Sequence, residues 1–393
     1  MNALVIFVLF LLLFLGLADN QTVPALLPLL VKSLHITIAR AGWLAAFYSA
    51  AAAVASFFSG SLSDHFGRRR FLIVGAALFA LASWLASRSG SFLELTLARG
   101  LTGLAAGTIS TCSIAFAGDW FGYEIRGKAI GLISIAYFAA PILGVPLAAE
   151  IAARSDWQDG FLFFALLGVL AAGAGIALPR ERFNPAGKSK PFASTLQSCR
   201  SIFARRDTTA MLVIAFLVSG GLYGFIFYIG EWMSATFGVN TRTIGLVFML
   251  GGFLAVAGAP LGGAISDRWG KRPVSIAGSA LLAASILLVP IFGWGVPLLA
   301  VFGAASLGAA FRQGPITALM TELVTTDQRG AFVALRNVAS QAGIIAATLA
   351  GGALYAGYGY WAVTTLCGVL TAGVAILLGT HISEPQPAAE GGS

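Results

Sequence analysis

Long apolar runs alternate with short polar segments along almost the whole chain. Each run covers about 20 residues, the length that an α-helix needs to cross the hydrocarbon core of a bilayer. The predicted spans lie near residues 4–31, 41–62, 71–88, 92–117, 129–150, 159–178, 209–236, 243–264, 273–290, 294–320, 331–354 and 360–380. The pattern therefore predicts an all-α membrane protein with twelve transmembrane helices in two six-helix halves.

Two polar segments divide this pattern. Residues 179–207 are basic and are predicted to be a cytoplasmic central loop between an N-terminal half (1–178) and a C-terminal half (208–380). Residues 381–393 are predicted to be a disordered cytoplasmic tail.

Composition supports the membrane class. Hydrophobic residues make up 58% of the chain and charged residues only 10%, whereas a soluble domain averages about 45–50% apolar and about 25% charged residues. The net charge of +8 does not indicate a nucleic-acid partner, because the basic residues lie between the apolar runs, where they set topology. The expected macromolecular environment is the lipid bilayer.

The distribution of lysine and arginine predicts the orientation. With the N-terminus in the cytoplasm, sixteen basic residues fall in inside loops and five in outside loops. This asymmetry predicts cytoplasmic N- and C-termini. The compact loops are typical of bacteria, so we expect a multi-pass protein of the bacterial inner membrane.

The polar element between the second and third spans is repeated. Residues 60–70 have a second copy at 263–272, and residues 124–127 have a counterpart at 327–330. The offset is 203 residues in both cases, and the matched pairs in the first element are Gly60/Gly263, Ser63/Ser266, Asp64/Asp267, Gly67/Gly270, Arg68/Lys271 and Arg69/Arg272. One offset for two separate loops indicates that the chain is a duplication.

The repeated element suggests a gate. Gly67 allows the backbone to turn between two spans, and Asp64 can pair with Arg68 or face the N-terminus of a neighbouring helix. Such pairs would hold the two halves together on the cytoplasmic face and break when it opens. The alternative is that these charges are solvated and only set topology. The candidate gating residues are Gly60, Asp64, Gly67, Arg68, Asp267, Gly270 and Arg272.

This element resembles the signature loop of the major facilitator superfamily, whose glycine, acid, glycine and arginine match Gly60, Asp64, Gly67 and Arg68. A second motif of the family, an arginine followed four residues later by glycine, matches Arg99 and Gly103 in the fourth span. The resemblance covers essentially the whole chain. It implies inverted repeats of three helices within each half and a substrate site near the middle of the membrane.

The fifth span matches a third motif only in part. Drug–proton antiporters of this family have a glycine- and proline-rich fifth span, of which Pro141 and Gly144 are present here. The other expected glycines are replaced, among them by Ala140 and Val145.

Asp19 is the most unusual residue of the first span. It begins a run of four polar residues, 19–22, and a charged group at the centre of a membrane helix costs about 2.5–3.5 kcal/mol. Asp19 is therefore expected to face a cavity or a partner, with Asn20 and Gln21 as candidate cavity residues. The alternative is a polar residue that only packs helices.

Arg99 is the expected partner of Asp19. Counted from the outer ends of their spans, Asp19 lies roughly 18 Å deep and Arg99 roughly 12 Å deep, a difference that an arginine side chain can bridge. The resemblance implies that the first and fourth spans pack together. We therefore interpret Asp19 and Arg99 as a proton-coupling pair.

The tenth and eleventh spans each contain an arginine. Arg312, beside Gln313, either binds a carboxylate or phosphate or donates to carbonyls freed near Pro315. Arg336 either lines the substrate cavity or extends to the cytoplasmic interface.

The seventh span contains Glu231 near its outer end, among aromatic residues that include Tyr228. These residues either line the cavity or pack against neighbouring helices.

The sequence also limits the chemistry. No histidine lies within a predicted span, so an intramembrane proton carrier must be a carboxylate, and no phosphate-binding loop is present. Neither the three cysteines nor the histidines have metal-ligand spacing. We expect no enzyme activity, no metal and no cofactor, with the proton gradient as the energy source.

These observations favour a secondary active transporter that exports a small organic or amphipathic solute by alternating access, coupled to protons and acting as a monomer. Proton-coupled uptake or facilitated transport of an anionic or sugar-like metabolite is the alternative. A sensor that does not transport is disfavoured by the charges kept within the membrane.

Overall fold

The computed structural model of the protein describes residues 2–179, 201–324 and 329–382. Residues 180–200 of the predicted central loop and residues 383–393 of the predicted tail lie outside the described residues.

Within the described part of the chain, twelve helices are long and apolar enough to cross a membrane. The first six are α1 (Ala3–Ser33), α2 (Ile38–Phe66), α3 (Arg68–Ser87), α4 (Phe92–Trp120), α5 (Glu124–Arg154) and α6 (Trp157–Ile176). The last six are α7 (Arg206–Phe237), α8 (Thr241–Trp269), α9 (Lys271–Leu288), α10 (Val296–Glu322), α11 (Arg329–Tyr358) and α12 (Tyr360–His381). The predicted all-α architecture with twelve spans is confirmed.

Consecutive helices run in opposite directions across the bundle. An even number of spans therefore brings the start of α1 and the end of α12 to the same side, which we call the terminal face. The opposite side is the far face. Both copies of the repeated element lie at the terminal face.

Among the described residues, the two sets of six helices meet mainly through four helix pairs: α1 with α7, α1 with α8, α2 with α11, and α5 with α8. Within the first set, α2 packs closely on α4 and α3 packs on α6. Within the second set, α9 packs on α10 and α12. Any site between the two sets is therefore bordered by α1, α2, α5, α7, α8 and α11.

The repeated element is more helical than the sequence suggests. The predicted second and eighth spans end at residues 62 and 264, whereas α2 continues to Phe66 and α8 to Trp269. One glycine makes each turn: φ is +93° at Gly67 and +94° at Gly270. A residue with a side chain rarely adopts this conformation, so the two glycines allow the next helix to start immediately.

The fifth span is interrupted near its centre. It consists of Tyr123–Ser134, a short turn Ala136–Ala139, a π-helical segment Ala140–Gly144 and a final helix Val145–Arg154. Pro141 lies inside the π segment, where it cannot donate a backbone hydrogen bond. Such π segments within α-helices often occur at functional sites.

Candidate functional site

Asp19 and Arg99 form an ion pair in the interior of the first six helices. The pair joins Arg99 Nη1 to Asp19 Oδ2, and the side chains are 2% and 0% exposed, respectively. Side-chain caps fix the start of α4: the backbone N–H of Glu94 donates to the Ser91 hydroxyl, and the Glu94 carboxylate accepts from the N–H of Gly90. The contact between Asp19 and Arg99, predicted from their similar depths, is present. Its role in proton coupling remains a prediction.

Two aromatic rings complete the surroundings of Arg99. The guanidinium carbon lies 4.7 Å from the ring centre of Tyr48 in α2 and 5.8 Å from that of Phe161 in α6. Both distances are typical of cation–π contacts. The Tyr48 hydroxyl donates to the carbonyl oxygen of Gly16 at 3.1 Å, which fixes this ring against α1.

The sequence contains one feature that indicates the contact between Tyr48 and Arg99, namely Gly103. Gly103 lies one turn after Arg99, and a Cβ on Gly103 would lie 2.9 Å from the Cα of Tyr48. The absence of that Cβ lets α2 approach α4 closely enough for the Tyr48 ring to reach Arg99. Arg99 and Gly103, the two residues of the family motif, thus both contact Tyr48 of α2.

The ion pair leaves polar atoms without partners. Among the described residues, Asp19 Oδ1 and Arg99 Nε are buried and have no hydrogen-bond partner. The pair is held by one hydrogen bond rather than by two parallel ones. A carboxylate with a free oxygen can take up a proton there without first losing its arginine.

A small cavity lies beside this pair, between the two sets of helices. Its volume is about 20 Å³, which is enough for a single water molecule. It is lined by Asn20, Gln21, Pro24, Ala45, Tyr223, Ile226, Phe227, Ile344 and Thr348. The two amides predicted for the cavity, Asn20 and Gln21, therefore lie on it. Tyr223 and Phe227 belong to the aromatic residues of the seventh span for which cavity lining and packing were both left open, and both line this cavity.

The far face is closed by direct contact between the two sets. A Cβ on Gly352 of α11 would lie 2.9 Å from the carbonyl oxygen of Ala39 in α2, closer than real Cβ contacts. At the same face, the Arg242 guanidinium of α8 pairs with Glu150 of α5 at 2.9 Å. A single buried apolar cluster joins both sets here and includes Leu44.

Nearer the terminal face, the apolar clusters are separate. One contains residues of the first six helices, such as Phe79 and Phe116. Another contains residues of the last six, such as Met211 and Phe332. The described conformation is therefore sealed at the far face, and the buried apolar clusters described nearer the terminal face do not join the two sets.

Tyr228 belongs to the sealed region rather than to the cavity. It is fully buried, and its hydroxyl donates to the carbonyl oxygen of Thr348 at 2.5 Å. Its hydroxyl also lies where a side chain on Gly352 would be. The structure thus places this candidate cavity residue in the α2–α11 contact.

The charges of the first repeated element form a cluster at the terminal face. Arg68 pairs with Asp64 at 2.6 Å and with Asp119, at the end of α4, at 3.0 Å. These contacts tie together α2, α3 and α4. That such pairs also hold the two halves together on the cytoplasmic face stays a prediction.

Arg69 and Arg272 have a different function from Arg68. Arg69 donates to the carbonyl oxygen of Ile176 at the end of α6 at 2.5 Å. Arg272 donates to the carbonyl oxygens of Leu378, at 2.9 Å, and Gly379, at the end of α12. Ile176 and Gly379 are themselves 203 residues apart. Both the donor arginine and its acceptor carbonyl are therefore repeated at the same offset. Arg272, predicted as a gating residue, is a helix cap, and the equivalent Arg69 was missed.

Gly60 and Asp267 complete the predicted gating set. Gly60 lies in α2 opposite Thr111 of α4, and Asp267 is exposed near the end of α8. Ser63 and Ser266 donate to the carbonyl oxygens of Gly60 and Gly263, at 3.0 and 2.7 Å. The helix ends of the two copies thus share their local hydrogen bonds.

Arg312 is buried within the last six helices. Its Nη2 donates to the carbonyl oxygen of Val218 in α7 at 3.1 Å, and its Nη1 has no partner among the described residues. The carbonyl-binding alternative thus describes its contact, although the acceptor is not a carbonyl near Pro315. Gln313, beside it, is exposed.

Glu231 lies between the cavity and the far face, whereas Arg336 lies between the cavity and the terminal face. Glu231 is half-buried toward the far face and interacts electrostatically with Tyr355. Arg336 is half-buried in α11 on the terminal-face side and interacts with Tyr137 of α5. The structure therefore brings Asn20 and Gln21 together at the cavity and places Glu231 away from it.

Within the described ranges, no group of three or more histidine, cysteine, aspartate or glutamate residues is arranged to hold a metal ion. Cys112 and Cys367 are buried and unpaired with each other.

Comparison with known proteins identifies the family. The sequence profile of the Major Facilitator Superfamily matches residues 9–230 and 211–393, which together cover nearly the whole chain. The chain belongs to the major facilitator superfamily. It is a multi-pass membrane transporter of that family.

Individual relatives are distant. The chain is 25% identical to YceJ of Bacillus subtilis, an uncharacterised transporter of the superfamily, over 86% of this chain and 85% of the relative. It is 23% identical to the multidrug efflux pump LfrA of Mycolicibacterium smegmatis, over 86% and 78%. The solved structure of a D-xylose–proton symporter superposes with a TM-score of 0.74 at 18% identity, over 96% of this chain and 98% of that chain, and confirms the fold.

Proposed function

We propose that this superfamily member is a proton-coupled exporter of a small organic or amphipathic compound. It would act as a monomer in the bacterial inner membrane, with its terminal face in the cytoplasm. The proton gradient drives the cycle, and no cofactor takes part. The observation that carries the proposal is the buried ion pair of Asp19 and Arg99.

A buried ion pair usually contributes little to the stability of a fold. Removing two charges from water costs several kcal/mol per ion, and apolar residues of similar size often stabilise a protein as well or better. The pair also has one hydrogen bond where an arginine and a carboxylate can form two. An intramembrane ionisable pair is therefore a candidate for ion movement.

Proton uptake by Asp19 changes the contact between α1 and α4. The neutral acid no longer balances the charge of Arg99, which remains in contact with the rings of Tyr48 and Phe161. Since α1 also borders the cavity through Asn20 and Gln21, a shift of α1 reaches the bound compound directly. Protonation of Asp19 thereby alters both the packing of α1 against α4 and the cavity that α1 borders.

Export is supported by a relative. LfrA, which matches most of this chain, is a multidrug efflux pump. The positive-inside distribution of lysine and arginine supports a cytoplasmic terminal face. Because the described conformation is sealed at the far face, further separation of the two sets at the terminal face would open the cavity to the cytoplasm, the side from which an exporter loads its compound.

The test uses everted membrane vesicles. Cells that express the chain are first compared with control cells on a panel of toxic organic compounds, and a compound to which expression confers resistance is selected. Added to energised everted vesicles, this compound should dissipate part of the proton gradient, as reported by an acridine dye. The signal should disappear with a protonophore.

Two variants decide the role of the pair. Asp19→Asn should bind the compound but not dissipate the gradient. The single variant leaves Arg99 buried without a counter-charge. The double variant Asp19→Asn/Arg99→Gln removes both charges, so it should fold better and still test the same pair. Wild-type dissipation by either variant in well-inserted protein would contradict the proposal.

A further inference from the structure

Arg336 is the centre of a second polar group, between the two sets of helices. It lies in α11, is half-buried and interacts electrostatically with Tyr137 of α5. Tyr137 is 50% exposed and also interacts with Tyr223 of α7, which lines the cavity. Because its neighbours come from α7 and α11, Tyr137 faces the cleft between the two sets and not the lipid.

The charge of Arg336 is not balanced within the described part of the chain. It forms no ion pair or hydrogen bond there. Of the acids within the predicted spans, Asp19 is paired with Arg99. Glu231 lies toward the far face beside Tyr355. Arg336 is therefore a half-buried cation that interacts with the Tyr137 phenol and has no counter-charge among the described residues.

Arg336 does not line the cavity itself, but it lies on the part of α11 that leads from the cavity to the terminal face. It precedes Ile344 by eight residues, a spacing that places both on one side of a helix, and Ile344 lines the cavity. An arginine that only reaches the membrane surface would not interact with a tyrosine near the centre of α5. The substrate-cavity alternative for Arg336 is thus favoured over the interfacial one.

The local structure of α5 supports a binding role for Tyr137. This residue lies in the short turn Ala136–Ala139, directly before the π segment Ala140–Gly144. A π segment changes the direction of the side chains on either side of it. The phenol is thereby placed in the cleft at a position that regular helix geometry does not specify.

The cavity combines apolar and polar groups. Pro24, Ala45, Ile226, Phe227 and Ile344 are its apolar lining residues, and Asn20, Gln21, Tyr223 and Thr348 are its polar ones. Once the two sets separate and the cavity widens, apolar walls with a few oriented polar groups are suited to a small organic compound. One unpaired guanidinium selects an anionic group, which it can bind through two parallel hydrogen bonds.

We infer that the transported compound is an organic anion with an apolar body, whose carboxylate or similar acidic group is bound by Arg336 and Tyr137. The inference rests on the proposed transport function and adds the substrate class. In the closed cavity described here, such a compound does not fit, so it binds when the two sets separate further at the terminal face.

The test is a binding experiment on the purified full chain in detergent. The panel consists of aromatic and aliphatic carboxylic acids, including naphthoic acid and N-acetylphenylalanine, each paired with its carboxamide and with an amine of the same body. Thermal unfolding is followed by tryptophan fluorescence at low ionic strength. Acids of the panel should raise the unfolding temperature, whereas their amides and amines should not.

Matched variants locate the effect. Arg336→Gln should weaken acid binding by about tenfold or more, the loss of roughly one charge-assisted contact. Arg336→Lys should retain part of it, since it keeps the charge but not the planar fork. Tyr137→Phe should weaken it less than Arg336→Gln. Arg88→Gln, which changes an exposed arginine at the end of α3, should bind as the wild type does.

The inference is overturned if amides or amines stabilise the chain as well as the acids do. It is equally overturned if Arg336→Gln keeps the acid preference, or if no acid of the panel binds. The assay contains no proton gradient, so it separates the two proposals. Failure of coupling through Asp19 would leave the acid preference intact, and loss of the acid preference in a chain that still couples would reject only the substrate class.

Discussion

Arg69 donates a hydrogen bond of 2.5 Å from its guanidinium to the carbonyl oxygen of Ile176, the last residue of α6. The equivalent arginine 203 residues later, Arg272, donates to the carbonyl oxygen of Gly379 near the end of α12. The last carbonyls of a helix have no partner within it. In each half, the arginine two residues after the turn glycine therefore caps the end of the final helix of the same half.

We predict that Arg69→Gln and Arg272→Gln loosen the ends of α6 and α12. Arg69→Gln loses one charge-assisted contact and Arg272→Gln two, at half-buried side chains, with an expected cost of about 1 kcal/mol or more in each case. Hydrogen exchange should become faster in the last turn of the affected helix and remain unchanged in the other. Arg70→Gln is the control, because Arg70 is exposed and adjacent. Equal exchange in Arg69→Gln and Arg70→Gln would show that the cap has no structural effect.

Gly352→Leu should prevent the far face from closing. Its side chain would collide with Ala39 and with the Tyr228 hydroxyl, and overpacking of this kind typically costs about 1–3 kcal/mol. The described conformation should lose population to one that is open at the far face. A single cysteine at Ala39, in a background without other cysteines, should then react faster with a reagent added from that side.

Gly357→Leu is the matched control, since a Cβ at Gly357 meets no atom within 4 Å. Unchanged reactivity of the Ala39 cysteine in Gly352→Leu would mean that the α2–α11 contact does not seal the far face.

Asp64→Asn should slow the conversion between conformations without preventing insertion. The arginines at positions 68–70 remain, so the topology signal is kept. Arg68 would lose one of the two carboxylates that tie α2, α3 and α4 together, and those helices would no longer move as one body. Cysteine reactivity from the two faces, followed over time, reports the rate. Normal transport with normal rates would leave only the topological interpretation of Asp64.

The sequence predicts the fold well because the membrane restricts the possible structures. Apolar runs, basic loops and a constant offset of 203 residues suffice to predict twelve helices. The Asp19–Arg99 contact was also predictable, because both groups are charged, buried by position and similar in depth. Charged residues in a bilayer have few possible partners.

Other contacts could not be predicted in this way. The acceptors of Arg69, Arg272 and Arg312 are backbone carbonyls, which carry no sequence signal. Tyr137 and Tyr228 are both tyrosines in membrane helices, yet Tyr137 faces the cleft and Tyr228 seals the far face. The difference depends on the π segment of α5 and on which face of the bundle is closed, and neither follows from hydrophobic periodicity.

The measurement that tests the central claim most directly is the infrared difference spectrum of the purified chain between mildly alkaline and mildly acidic buffer. It reports the carbonyl band of a protonated carboxylic acid and requires no knowledge of the substrate. If Asp19 is the proton carrier, the wild-type spectrum contains a band from a buried carboxylic acid that is absent from Asp19→Asn and retained in Glu231→Gln. Identical spectra for the wild type and a folded Asp19→Asn variant would contradict the assignment of Asp19 and Arg99 as the coupling pair.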